Sequence, residues 1–81
     1  MFDKQDTTQK VTAIIASVLN TQESTIKPSA SLETLGADSL DRLEIIMKLE
    51  ETFGIDISDD DEAAIKTVQE AVNTVHSKRT K

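Results

Sequence analysis

Eighty-one residues with a net charge of −6, no cysteine, and Phe2 and Phe53 as the only aromatic side chains describe one small acidic domain, residues 1–81, with an ordered core expected over about 4–77. A chain this short buries only roughly 60% of the surface of its unfolded form and holds about 4–12 kcal/mol against unfolding, without disulfides to help. No apolar run reaches the length of a membrane span and Met1-Phe2-Asp3-Lys4 lacks the regions of a secretory signal, so the expectation is a monomer in the cytoplasm with no membrane insertion.

Ile, Val, Leu and Ala dominate the apolar residues, and two glycines and one proline are the only strong chain breakers, which favours helices over sheets. Val11, Ile14, Ile15, Val18 and Leu19 recur at i, i+3, i+4, i+7 and i+8, predicting a first helix over about residues 4–20. The stretch from Asn20 to Leu35 is polar and contains Pro28; Ile26, Leu32 and Leu35 are the side chains expected to pin it across the molecule.

Gly36 permits a tight turn and Asp38 is a good N-cap for a second helix, Leu40 to Phe53, which Gly54 stops. Ser58, three residues before Asp61, predicts a short third helix at about 59–65. The Thr67/Glu70 pair predicts the start of a fourth, in which Val68, Ala71, Val72 and Val75 repeat at helical spacing as far as about His76. The tail from Ser77 to Lys81 is expected to fray. The fold class is therefore all-α: a small four-helix bundle with three main helices, a short third one and a long loop between the first two.

Turning the second helix by 100° per residue places Leu43, Ile46, Leu49 and Phe53 in a core-facing arc, with Glu50 awkwardly inside it. Leu40, Glu44, Met47 and Glu51 form a second stripe beside Asp41. It is either an ordinary solvated face or a docking surface with apolar contacts at its centre and room for Arg or Lys at its rim. The charge is concentrated: Gly36 to Glu62 carries −8 and the rest of the chain +2, a field that repels nucleic acid and steers basic protein surfaces.

At the head of the second helix stands Leu35-Gly36-Ala37-Asp38-Ser39-Leu40-Asp41. Together with the Ile/Val-rich first helix, Leu49-Glu50-Glu51-Thr52-Phe53 and Ile65-Lys66-Thr67-Val68 in order along nearly the whole chain, it resembles the acyl carrier proteins of the phosphopantetheine-binding carrier family, of the fatty-acid-synthesis type. The resemblance implies a non-catalytic carrier whose cofactor, 4′-phosphopantetheine from coenzyme A, is attached covalently at Ser39 and carries acyl chains as thioesters. It also implies partners with basic surfaces, the phosphopantetheinyl transferase and the enzymes of fatty acid synthesis and acyl transfer, recognising Asp38, Leu40, Asp41, Glu44, Met47, Glu51 and Asp59. The chain is expected to fold back between the second and third helices against Leu40, Ile46, Leu49, Phe53, Ile57, Ile65 and Ala71, each buried methylene contributing up to about 0.8 kcal/mol.

Four positions depart from the commonest family pattern: Leu32 where phenylalanine is frequent, Ser58 where proline often follows the isoleucine, Thr74 where tyrosine is often seen, and Arg42 where small or apolar residues are usual. Arg42 is expected either to pair with a nearby carboxylate or to tune partner choice. A catalytic reading of Ser39 lacks a base, since His76 is the only histidine and stands near the C-terminus, where it is read as a polar residue of no special role. The run Asp59-Asp60-Asp61-Glu62 fails EF-hand spacing and reads as acids gathered at a helix start; no metal site is expected. Two alternatives stay open: a carrier for a specialised acyl, aminoacyl or polyketide cargo, and an unmodified acidic module that binds basic proteins through the Leu40/Glu44/Met47/Glu51 face.

Overall fold

A computed structural model describes residues 3–79. Four α-helices follow one another as α1 (Lys4–Leu19), α2 (Ser39–Phe53), α3 (Asp59–Ala64) and α4 (Val68–Arg79), with a single 3₁₀ turn, Glu23–Thr25, in the long first connection. Each start is capped by a short polar side chain. Asp3 accepts from the Gln5 N–H, and Asp38 with Asp41 and Ser58 with Asp61 form reciprocal capping boxes. Thr67 and Glu70 do the same for α4, at 3.1 and 2.9 Å. Two ends turn through left-handed residues, Asn20 (φ 56°) after α1 and Gly54 (φ 63°) after α2.

The core is one cluster. Val11, Ile15 and Ala16 from α1, Ile45, Ile46 and Leu49 from α2 and Val68, Ala71, Val72 and Val75 from α4 meet there, with Ile26, Leu32, Ile57 and Ile65 from the connections. Ile26 and Leu32 pin the long loop as expected, with Leu35 half-buried against the same cluster. The backbone adds ties that patterning does not reveal. Leu32 N–H donates to Lys66 O (2.9 Å) and Val68 N–H to Ala30 O (3.0 Å), an antiparallel bridge of Ser31 with Thr67 that fastens the loop to the α3–α4 junction.

Three expectations are corrected. Leu43 is 48% exposed and Ile45 is fully buried, so the core face of α2 is rotated about its axis and centres on Arg42, Ile45, Ile46 and Leu49. Glu50 fits at the edge of this face, half-buried, because its carboxylate accepts the Ile57 N–H at 2.9 Å. The C-terminal segment is not frayed as far as Arg79. The guanidinium, with its side chain only 6% exposed, lies between Asp6 (3.0 Å), the buried Thr7 hydroxyl (3.1 Å) and the Phe53 ring (4.7 Å to its centroid). Thr80 and Lys81 lie outside the described residues. His76 also has a partner, its Nδ1 lying 2.9 Å from Thr7 Oγ1, which joins α4 to α1. Of the departures from the family pattern, Leu32 belongs to the core and Ser58 serves as an N-cap.

Candidate functional site

Ser39 is the first residue of α2 and is exposed. Gly36, at φ 92°, turns the chain out of the long loop, and the Asp38/Asp41 capping box sets the direction in which the helix leaves (3.2 and 2.9 Å). Helix geometry leaves the Ser39 and Leu40 N–H groups without an acceptor in the helix, at its positive end. Asp38 and Asp41, read from the sequence as recognition groups that oppose a bound phosphate, are in addition engaged with backbone N–H groups here. Their charge is partly answered where it stands.

Two grooves meet at Asp38. The first, about 650 Å³, is lined by Ser31, Glu33, Ala37, Asp38, Ser39, Arg42, Ala63 and Lys66. Arg42 and Lys66 line it together with Ser39 and with the acidic residues Glu33 and Asp38. A phosphodiester on Ser39 Oγ fits this surrounding: free N–H groups lie at the helix start, and a guanidinium and an ammonium line the groove. Arg42 could have been found from sequence, because it stands one turn after Ser39 on the same helix. Lys66 could not, since only the Ser31–Thr67 bridge brings it there.

The second groove, about 550 Å³, runs down the outer face of α2 and is lined by Asp38, Leu40, Asp41, Leu43, Glu44, Met47, Lys48 and Glu51. It brings together six of the seven residues expected to recognise partners; Asp59, the first residue of α3, lies outside it. Leu40, Leu43 and Met47 are 75%, 48% and 51% exposed, an apolar strip flanked by carboxylates. Leu43 is the member the sequence reading missed. Its spacing from Leu40 and Met47 (i, i+3, i+7) was the available signal, overridden by placing Leu43 in the core-facing arc with Ile46, Leu49 and Phe53.

Of the expected acyl lining, Ile46, Leu49, Ile57, Ile65 and Ala71 share the buried core and Phe53 packs at its margin. Leu40 does not join them. It is 75% exposed on the outer strip, where helical spacing already places it. The carboxylate pairing expected as one alternative for Arg42 is corrected as well: its Nη2 donates to the carbonyls of Ile65 (3.0 Å) and Glu62 (3.3 Å). Among the described residues no group of His, Cys, Asp and Glu side chains is arranged to hold a metal ion. The shifted carboxylates serve the scaffold. Asp61 is held below the ordinary carboxylate range by hydrogen bonds from Lys78 and then Ser58, and Glu70 by the backbone N–H groups of Lys66 and Thr67.

Comparison with known proteins follows the same lines. The family described as "Phosphopantetheine attachment site" matches residues 9–75. The chain is 47% identical to an acyl carrier protein of Rubrobacter xylanophilus over 91% of its length and 93% of the relative's. It is 46% identical to one of Nitratidesulfovibrio vulgaris, over 88% and 95%. It is 40% identical to one of Thermosynechococcus vestitus, over 95% and 96%. The crystal structure of an acyl carrier protein from Thermotoga maritima shares the fold with a TM-score of 0.79, at 23% identity, covering 93% of this chain and 88% of that one.

Proposed function

The chain belongs to the acyl carrier protein family, and on that premise we propose that Ser39 bears the prosthetic arm and that the cargo is the growing acyl chain of fatty acid synthesis. Members are non-catalytic carriers that work through a covalently attached 4′-phosphopantetheine, whose terminal thiol holds an acyl group as a thioester. The observation that carries the assignment to Ser39 is its exposure at the start of a capped helix, in a groove with Arg42 and Lys66. In loading, the Ser39 hydroxyl attacks the phosphorus that bears the pantetheine in coenzyme A. It loses its proton to the transferase, and the P–O bond to the nucleotide breaks, releasing adenosine 3′,5′-bisphosphate.

The outer groove of α2 supports a docking role. Its apolar strip begins at the residue next to Ser39, so a partner seated on Leu40, Leu43 and Met47 has the arm at its edge, and the carboxylates around the strip select a basic surface. The described helices include none long and apolar enough to cross a membrane. Cytoplasmic residence and a single domain over 1–81 belong to the same proposal.

Intact mass after incubation with coenzyme A, magnesium and a broad-specificity phosphopantetheinyl transferase tests the assignment. A gain of one phosphopantetheine, absent from Ser39→Ala, is expected. No gain on folded wild-type protein refutes it and leaves the acidic binding module. The acyl groups found on protein purified from its source then separate fatty acid synthesis from a specialised cargo.

A further inference from the structure

α3 is weakly held. Its six residues contribute none to the core, and the buried anchors Ile57 and Ile65 stand just outside its two ends. Its polar ties reach it from other helices: Lys78 of α4 meets Asp61 at 2.9 Å, and Arg42 of α2 meets the carbonyls of Glu62 and Ile65. The helix has no basic residue in its own last turn. A guanidinium from α2 therefore takes the place of the cation that commonly stabilises a helix C-terminus.

Arg42 also lines the Ser39 groove, as does Ala63 of α3. It thus spans the seam between α2 and α3 one helical turn from the site of the arm. On the carrier reading, an acyl chain that passes from Ser39 through this seam toward Ile46, Leu49 and Ile65 parts α3 from α2, and parting them lengthens both carbonyl contacts.

We propose that Arg42 is a positioning residue that latches α3 to α2 and sets how readily a tethered acyl chain enters the core. The inference rests on the carrier reading. The latch opposes chain entry, so its loss weakens the empty protein and at the same time lowers the cost of admitting the chain. A residue of purely structural role would weaken the empty and loaded forms alike, and this difference separates the two.

The test compares wild type, Arg42→Ala and Arg42→Lys, each as the unacylated 4′-phosphopantetheine form and as the form loaded from octanoyl-coenzyme A, by melting temperature. Arg42→Ala is expected to melt lower than wild type when unacylated. It is also expected to gain more on octanoyl loading than wild type does, by about 4 °C or more, with Arg42→Lys between them. Hydrogen exchange on the unmodified proteins is expected to show the Glu62 and Ile65 amides exchanging at least about tenfold faster in Arg42→Ala, relative to Val11 in the core. Should Arg42→Ala fail to fold, Arg42→Gln replaces it, keeping an N–H donor without the charge. Equal gains on loading, or unchanged exchange at Glu62 and Ile65, overturn the latch while leaving the carrier intact. Failure of wild-type Ser39 to accept the group overturns the carrier reading and the latch with it.

Discussion

Thr7 shows how much one side chain can hold in a domain of this size. It is fully buried, and its hydroxyl meets both Arg79 Nη1 (3.1 Å) and His76 Nδ1 (2.9 Å), so one oxygen joins the start of α1 to the end of α4. Thr7→Val keeps the shape and removes one partner from each of two α4 side chains. The expected cost is about 1–3 kcal/mol, measured as a lower urea midpoint with an unchanged m-value. A loss below about 0.5 kcal/mol would show that this contact is replaced by water. Helical periodicity gives no warning of the arrangement, because its members are some seventy positions apart in the chain (|i−j| 69 and 72).

At the level of the helix, α2 must satisfy a core and a docking face at once, and a period of 3.6 residues lets it do so only with a definite rotation. Ile45 is fully buried and Leu43 about half exposed, so the two neighbours are expected to respond differently to truncation. Ile45→Ala should cost about 2–5 kcal/mol, a large part of the fold's stability. Leu43→Ala should stay within about 0.5 kcal/mol in thermal or urea unfolding and weaken partner binding instead. The reverse pattern would restore the arc drawn through Leu43. Helix starts were more legible than helix faces. Ser58/Asp61 and Thr67/Glu70 are local signals over three residues, whereas a face is chosen by what the other helices present.

At the scale of the whole molecule, three carboxylates among the described residues lie below their ordinary range. Asp6 is lowered chiefly by its hydrogen bond from Arg79 and further by Lys10, Asp61 by Lys78 and Ser58, and Glu70 by the Lys66 and Thr67 backbone. Asp6 and Asp61 each tie α4 to another part of the chain. A carboxylate whose folded pKa is depressed contributes its stability in full above its unfolded value. The contribution is lost as pH falls through the folded one. Stability from these three is therefore present at neutral pH and declines below about pH 4. Urea midpoints between pH 7 and pH 3 should fall for the wild type and fall less for Asp61→Asn, which has already lost its ionised partner. Parallel curves for the two would remove Asp61 from the account.

The sequence by itself determined the helix order, the capped helix starts, the acidic segment and Ser39 at the head of α2, because each depends on residues within a turn or two of one another. The resemblance to a known family added the chemistry of the arm. Only the tertiary structure decided which side of α2 faces inward, that Arg42 spans to the end of α3, that Lys66 joins the Ser39 groove, and that Arg79 closes the bundle against α1 and Phe53. Those outcomes depend on groups from separate elements meeting in space. A guanidinium binds whichever carbonyl or carboxylate the packing of the core leaves within reach.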